Sequence, residues 1–223
     1  MTSEKPVIRV VDDDQGFRVA LCRLLRAEGF EIREYASAGA FLLGDEEGTP
    51  GCVLLDMRMP GPSGLDLQEA LAKRERSLPI IFLTAYGDVR MSVRAMKAGA
   101  LDFLPKPVKR EALLATVRAA LARDEEKRAA REKLRALRAR YETLSPRERE
   151  VLQHVVAGRL NKQIASAIGA AERTVKAHRA RVMAKMQAGS VAELVRAVDQ
   201  LASSLGTASD VRPAPARQRA AAP

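Results

Sequence analysis

Histidine and cysteine are both scarce in this chain of 223 residues, which contains two of each. His154 and His178 alone give little scope for a histidine-based metal site. Cys22 and Cys52 both lie in apolar segments, which favours two buried free thiols over one disulfide or a metal pair. This scarcity argues against a disulfide-stabilised fold and against a thiolate metal centre.

Long apolar runs are also missing from the sequence. No stretch approaches about 18 uninterrupted apolar residues, so we expect no membrane-spanning helix and no membrane partner. The first residues, MTSEKPVIRVV, lack the basic start, apolar middle and small-residue exit of a signal peptide. We therefore expect a cytoplasmic protein.

Charge is divided unevenly along the chain. Residues 1–108 contain 14 Lys and Arg against 16 Asp and Glu, whereas residues 109–223 contain 24 against 12. The net charges of −2 and +12 together give the +10 of the whole chain. A basic half beside a weakly acidic one indicates two domains, of which the second faces a polyanion. Arginine that only solvates helix surfaces is the alternative interpretation.

Short apolar strands alternate with helical patterns over the first 108 residues. Strand starts recur about every 20 to 27 residues, which is the spacing of βαβ units in a parallel sheet with both faces covered. Ligands of such sheets bind at the carboxyl ends of the strands. The predicted strands are 7–11, 31–35, 52–56, 79–83 and 101–104, and the predicted helices are 15–28, 38–43, 65–76 and 89–98.

The segment from about Lys109 to Tyr141 contains neither Gly nor Pro and predicts one long helix. Leu134, Leu137 and Tyr141 recur at three- and four-residue steps, as in a coiled-coil seam. The middle of the segment, RDEEKRAARE, is too polar for a firm seam. A single solvated helix is therefore an equal alternative to a coiled coil.

The residues from 145 to 204 indicate a compact all-helical unit. Ser145, Pro146 and Glu148 carry the pattern of a helix start with a capping box. We expect Asn161 and Ser190 to cap the second and fourth helices of this unit. The last residues, GTASDVRPAPARQRAAAP, are rich in Pro, Ala and Arg and predict a disordered tail.

Acidic residues follow two strands that would end at the same edge of a parallel sheet. The first strand is followed by three aspartates at 12–14, and the third ends in Asp56. Carboxylates gathered at one edge repel one another unless a cation lies between them, and hard oxygen ligands favour Mg²⁺. The fourth and fifth strands bring Thr84 and Lys106 to the same edge.

These residue types together suit phosphoryl transfer. One acid can act as the nucleophile, a metal neutralises the charge, and Lys and Thr can bind phosphoryl oxygens. An aspartyl-phosphate phosphatase or transferase is therefore one hypothesis. Such enzymes usually carry a second acid two residues after the nucleophile, and Arg58 stands there in this chain. We therefore do not expect an enzyme.

The motifs VVDDD, LLDMRMPGPSGLDL, LTAYGD and AMKAGALDFLPKP follow one another over residues 6–108 and resemble the receiver domain of two-component response regulators. The resemblance implies a flavodoxin-like, doubly wound sheet of five parallel strands in the order 2-1-3-4-5. It implies phosphorylation of Asp56 by a sensor histidine kinase, with Mg²⁺ as cofactor. It also implies metal ligands Asp12, Asp13, Asp56 and the backbone carbonyl of Arg58, phosphoryl contacts by Thr84 and Lys106, switch residues Thr84 and Phe103, and a cis bond at Lys106–Pro107.

Asp14 follows the acidic pair, and we interpret it as a helix cap rather than a metal ligand.

The sequence from 144 to 197 resembles the LuxR/FixJ-type helix-turn-helix domain over its whole length. A short helix, a tight turn at 169–171 and a basic third helix are typical of a recognition helix in the major groove. The fourth helix is either a dimer surface on DNA or packs within the domain. The resemblance implies base or groove contacts by Lys176, Ala177, Arg179 and Ala180, and phosphate contacts by Asn161, Lys162, Thr174 and Arg181, although simple solvation is the alternative for the basic residues.

The chain is therefore predicted to consist of a receiver domain at 1–122, a helical linker at 123–143, a helix-turn-helix domain at 144–204 and a disordered tail at 205–223. We expect a transcriptional activator that forms a homodimer on phosphorylation and binds double-stranded promoter DNA, with RNA polymerase as a further partner. A DNA-binding regulator that needs no phosphorylation, and uses its receiver only for protein contacts, is the alternative.

Overall fold

The computed structural model describes residues 5–46, 48–73, 77–84 and 89–205. The predicted disordered tail, apart from its first residue, and the part of LTAYGD after Thr84 lie outside these residues. The chain divides into two compact units, residues 1–128 and 129–223. The predicted domain boundaries stay predictions.

Five parallel strands form one sheet in the order β2-β1-β3-β4-β5, which confirms the predicted fold class. The three central strands are buried throughout, because helices cover both faces and apolar side chains point both ways. One apolar cluster fills each face. The strands are β1 Val7–Val11, β2 Glu31–Tyr35, β3 Gly51–Asp56, β4 Ile80–Thr84 and β5 Asp102–Pro105, and the helices of this part are α1 Gln15–Ala27, α2 Ala38–Gly44, α3 Gly64–Ala72, α4 Val89–Lys97 and the first half of α5 Arg110–Glu142.

Both cysteines are free and buried, as predicted. Burial raises the pKa of the Cys22 thiol to about 11 and that of the Cys52 thiol to about 12. Both side chains therefore stay protonated near neutral pH and act as apolar packing groups.

A fully buried arginine, Arg9, lies in the middle of β1. Its guanidinium points toward the amino end of the sheet, away from the predicted phosphoacceptor. Arg9 Nε donates to Asp45 Oδ1 at 2.6 Å, and its other nitrogens donate to backbone carbonyls. Nearby, the buried carboxylate of Asp124 accepts the backbone N–H of Gly51 at 2.9 Å. Asp124 belongs to α5, so α5 is fixed to the first residue of β3.

The second unit is all-helical, as predicted. It contains α6 Pro146–Val156, α7 Asn161–Ile168, α8 Glu172–Met186 and α9 Val191–Leu205. Leu194, Val198 and Leu201 of α9 are buried in the common apolar cluster, which supports packing within the domain. Leu137 of α5 is buried there as well, with Leu134 and Tyr141 packed against it. The apolar stripe at the end of α5 therefore packs against helices of its own chain.

The predicted helix caps of this unit are confirmed at two sites and wrong at one. Ser145 and Glu148 form the predicted capping box, and Ser190 Oγ accepts the N–H of Glu193 at 3.2 Å. Asn161 is not a cap, because α7 begins at Asn161 itself and Leu160 precedes the helix. The Asn161 amide oxygen instead accepts a hydrogen bond from Arg179 of α8, which lies 18 residues later in the chain.

Glu148 also ties the start of α6 to α8. Its Oε2 accepts Lys185 Nζ at 2.6 Å and the backbone N–H of Ser145 at 2.9 Å. These two hydrogen bonds, that from Lys185 first, hold the pKa of Glu148 below its ordinary value of 4.5. The stabilisation is therefore fully present above pH 4.5 and is lost as the pH falls through the lower native pKa.

We expect Glu148→Gln to lower the free energy of unfolding by about 1 kcal/mol at pH 7, since Lys185 is partly exposed and glutamine can still cap. The measurement is urea unfolding followed by circular dichroism at pH 7 and at a series of pH values below 4.5. The difference from wild type should shrink as the pH falls. A difference that stays constant with pH would contradict the ion-pair explanation.

Gly64 is the first residue of α3, where the chain passes close to the end of β3. A Cβ atom at this position would lie 2.3 Å from the backbone oxygen of Asp56 and 3.0 Å from the Phe82 ring. Real Cβ atoms do not approach backbone oxygens so closely, so only glycine fits without movement of the strand end.

Gly64→Ala is expected to destabilise the chain by about 2–3 kcal/mol, because the loop after Asp56 must shift to relieve this overlap. Gly39→Ala in α2 is the matched control, since its Cβ would meet nothing closer than 3.9 Å. We expect the control to be as stable as wild type or slightly more stable. Equal urea midpoints for the two variants would show that the end of β3 can move away from the new methyl group without loss of stability.

No helix among the residues described by the structure is long and apolar enough to cross a membrane.

Candidate functional site

The carboxyl ends of the parallel strands bring the predicted phosphoryl-transfer residues to one edge of the sheet. Asp12 follows β1, Asp56 ends β3, Thr84 ends β4 and Lys106 follows β5. Asp12 is fully buried, and Asp56 is only 6% exposed. Two acids buried this deeply require a nearby cation.

Lys106 supplies that charge in this structure. Its Nζ lies 2.7 Å from Asp12 Oδ2 and 2.7 Å from Asp56 Oδ1. Burial raises the pKa of Asp56 despite the opposing effect of Lys106. Burial also works against the charged form of Lys106, but hydrogen bonds to Asp12 and Asp56 outweigh it and raise the pKa of the lysine. The ammonium therefore stays charged at neutral pH between the two acids.

The remaining carboxylate oxygens of this pair are held by the backbone. Asp12 Oδ1 accepts the N–H of Asp14 at 2.9 Å, and Asp56 Oδ2 accepts the N–H of Arg58 at 3.0 Å. Asp14 Oδ1 in turn accepts the N–H of Phe17 at 3.0 Å and caps α1, which confirms the helix-cap interpretation. Both acids are thus fixed in orientation.

The predicted metal ligands fit Mg²⁺ in chemistry but do not form a ready-made cage. Asp12 and Asp56 present hard carboxylate oxygens to the same space, and Asp13 follows on the exposed side. Within the described ranges, no group of three or more His, Cys, Asp or Glu side chains is arranged to hold a metal ion. Both predicted carboxylate ligands, Asp12 and Asp56, are occupied by Lys106 in this structure.

The two predicted switch residues lie in different surroundings. Thr84 is buried at the end of β4, whereas Phe103 on the edge strand β5 is 42% exposed. The peptide bond between Lys106 and Pro107 is cis, as predicted.

The predicted recognition helix is α8. Val175, Val182 and Met186 face the apolar core, and the turn before the helix begins at Gly169, which has a left-handed backbone. The predicted DNA-contact residues on α7 and α8 are exposed or half-buried around this helix. They are Asn161, Lys162, Thr174, Lys176, Ala177, Arg179, Ala180 and Arg181.

Two predicted DNA-contact residues touch each other. Arg179 Nη1 donates to Asn161 Oδ1 at 3.1 Å, so the amide of α7 orients the guanidinium of α8. Lys185, near the end of α8, is paired with Glu148 and also donates to the backbone carbonyl of Thr143. Its role in this structure is therefore to hold α8 in place.

Sequence reasoning missed two residues beside the acidic edge. The ring of Phe17 lies under the Lys106 ammonium, 4.4 Å from centroid to Nζ, and Arg18 Nη1 donates to the backbone carbonyl of Asp12 at 2.6 Å. The sequence signal that could have found them is the helix cap at Asp14. The cap fixes the first turn of α1 and therefore the direction of the side chains of Phe17 and Arg18.

The family comparisons agree with both halves of this structure. The model of the response regulator receiver domain matches residues 8–118, and that of bacterial regulatory proteins of the luxR family matches residues 142–198. The chain belongs to the LuxR/FixJ family of two-component response regulators. These are transcriptional regulators rather than enzymes, as predicted. A receiver domain implies a kinase partner, and a LuxR-type domain implies DNA binding.

Similar proteins match this response regulator over most of its length. Nodulation protein W of Bradyrhizobium diazoefficiens is 45% identical over 91% of this chain and 89% of its own. Response regulator protein TmoT of Ectopseudomonas mendocina is 43% identical over 92% of this chain and 93% of its own. Of the solved structures, response regulator StyR has a TM-score of 0.80 at 46% identity and covers 88% of this chain and 99% of its own. Full-length FixJ from B. japonicum has a TM-score of 0.54 at 38% identity, with 90% and 99% covered.

Proposed function

We propose that this response regulator is switched by phosphorylation of Asp56. A sensor histidine kinase supplies the phosphoryl group, and Mg²⁺ is held by Asp12, Asp13, Asp56 and the backbone carbonyl of Arg58. The phosphorylated chain then forms a homodimer, binds promoter DNA and activates transcription with RNA polymerase as a partner. The observation that carries this proposal is the pair of buried carboxylates, Asp12 and Asp56, bridged by the ammonium of Lys106.

The residues at the carboxyl edge of the sheet have different roles in the proposed phosphoryl transfer. Bound Mg²⁺ supplies positive charge that lets a carboxylate approach a phosphoryl group. An oxygen of Asp56 would attack phosphorus while the bond from phosphorus to the histidine nitrogen of the kinase breaks, and that nitrogen would keep the electron pair. Asp56 is held for this step by Lys106 at Oδ1 and by the N–H of Arg58 at Oδ2. The Lys106 ammonium would exchange its contact with Asp12 for a phosphoryl oxygen. The Thr84 hydroxyl, at the end of β4, binds a second oxygen.

The proposed dimer surface is formed by α4, β5 and α5 of the receiver. Three large apolar side chains are exposed there, namely Val93 and Met96 on α4 and Phe103 on β5. Their exposed fractions, 49%, 41% and 42%, are high for residues of these types. A second copy of the same surface would bury them, which is the self-complementary contact expected of a two-fold dimer.

The proposed DNA surface is the exposed side of α8 with the start of α7. Lys176, Ala177, Arg179 and Ala180 are assigned to base or groove contact, and Asn161, Lys162, Thr174 and Arg181 to phosphates. Asn161 has a second role in this proposal, because it orients Arg179. Two such helices in a dimer would reach two half-sites about one helical turn apart.

The proposal is tested by light scattering on the full chain with Mg²⁺ and beryllofluoride, which mimics an aspartyl phosphate. We expect a change from monomer to dimer, together with tighter binding to promoter DNA. A chain that binds beryllofluoride but stays a monomer with unchanged DNA affinity would overturn the proposed switch. Equal DNA binding with and without beryllofluoride would favour the phosphorylation-independent regulator.

A further inference from the structure

Among the described residues, the Lys106 ammonium contacts an aromatic ring as well as two acids. Asp12 and Asp56 each accept a hydrogen bond at 2.7 Å, and the face of the Phe17 ring lies below, 4.4 Å from its centroid to Nζ. A cation this close to an aromatic face is attracted by the negative potential of the ring. Phe17 is itself half-buried and packs against the apolar cluster of that side of the sheet.

The position of the Phe17 ring is set by the acidic edge itself. Asp12 holds the N–H of Asp14, Asp14 holds the N–H of Phe17, and the Phe17 ring contacts Lys106. Lys106 in turn donates to Asp12, which closes a ring of four contacts. The four residues are therefore linked in one closed set of contacts.

The ring and the carboxylates differ in how strictly they fix the direction of the ammonium N–H groups. A carboxylate requires an N–H aimed at an oxygen, whereas an aromatic face attracts a cation over a broad area. In the proposed function Lys106 must exchange Asp12 for a phosphoryl oxygen. The ring does not depend on the Asp12 hydrogen bond, so its attraction matters most while the lysine has left Asp12 and not yet bound the phosphoryl oxygen. Leucine could fill the same space but would not attract the charge.

We propose that Phe17 is a positioning residue that keeps the Lys106 ammonium at Asp56 while the lysine changes partner during phosphorylation. This proposal rests on Asp56 being the phosphoacceptor. In this proposal Phe17 acts only through Lys106.

The test compares Phe17→Leu and Phe17→Tyr with wild type in the full chain. Phosphorylation by acetyl phosphate at saturating Mg²⁺ is followed by intact mass. We expect Phe17→Leu to slow phosphorylation about three- to fivefold, which corresponds to the lower end of the energies of cation–π contacts. Phe17→Tyr keeps the aromatic face and should stay within twofold of wild type. Val19→Ala, an exposed position on the same helix, is the control and should match wild type.

Two further measurements separate positioning from damage to the fold. The ε-methylene protons of Lys106 should show an upfield ring-current shift by NMR in wild type and Phe17→Tyr, and lose it in Phe17→Leu. In a Lys106→Met background, Phe17→Leu should cause no further slowing, because its effect passes through Lys106.

Three results would overturn the proposal. They are a Phe17→Leu rate equal to wild type, equal slowing by leucine and tyrosine, and undiminished slowing in the Lys106→Met background. Absence of phosphate uptake by wild type would instead overturn the proposed function. The NMR shift does not depend on phosphorylation, so it still reports whether the ring and the ammonium are in contact.

Discussion

Asp56→Asn will take up no phosphate from acetyl phosphate in the presence of Mg²⁺, whereas the wild-type chain will gain one phosphoryl group. Asparagine keeps the size of the side chain and an oxygen that can accept the Arg58 N–H. It lacks the anionic oxygen that attacks phosphorus, so the loss should be complete rather than partial. Intact mass spectrometry measures this directly, and beryllofluoride should also fail to change the oligomeric state of the variant.

Asp66→Asn is the matched control for this substitution. Asp66 lies in the same loop-to-helix region as part of the Ser63 capping box, but it is exposed and does not contact Lys106. The control should take up phosphate as wild type does. Phosphate gained by Asp56→Asn would assign the acceptor to another residue, and no phosphate on wild type would promote the phosphorylation-independent alternative.

Arg179→Ala should weaken binding to promoter DNA by about 10- to 100-fold while leaving binding to an unrelated duplex much less affected. An arginine that reads a base edge contributes about 1–3 kcal/mol of discrimination. Arg179 suits this role because Asn161 fixes one of its nitrogens, so fewer rotamers are lost on binding. Fluorescence anisotropy with both duplexes at one fixed salt concentration measures the two affinities.

Two further variants serve as comparisons for Arg179→Ala. Asn161→Ala should cause a smaller loss of discrimination between the two duplexes, since it frees Arg179 without removing it. Loss of the proposed phosphate contact of Asn161 should weaken binding to both duplexes alike. Arg135→Ala, an exposed position on α5, should leave the ratio of the two affinities unchanged. Equal weakening on both duplexes by Arg179→Ala would reassign the residue to a phosphate contact.

The sheet and its acidic edge were predictable because they follow from local pattern. Central strands of a parallel sheet are apolar on both faces, so β1, β3 and β4 are visible as short apolar runs. Parallel connection then brings residues after β1 and β3 to one edge, whatever the details of packing. Asp12, Asp56, Thr84 and Lys106 therefore follow from the order of the motifs.

The missed contacts depend on packing between segments far apart in sequence. Asn161 has the chemistry of a cap, but Arg179, 18 residues later, binds its amide oxygen instead. Lys185 belongs to the basic helix α8, but the fold places Glu148 of α6 within 2.6 Å of its ammonium. The ring of Phe17 meets Lys106 only because α1 and the segment after β5 lie together. No local pattern carries this information.

The buried carboxylate of Asp124 sets a minimum length for this receiver when it is transferred to another regulator. Gly51 begins the strand that ends in Asp56, and Asp124 accepts its buried N–H. A junction placed before residue 124 would leave that N–H without its carboxylate, at a cost of about 1–3 kcal/mol. A chimera that grafts this receiver onto a foreign output domain must therefore carry α5 past Asp124.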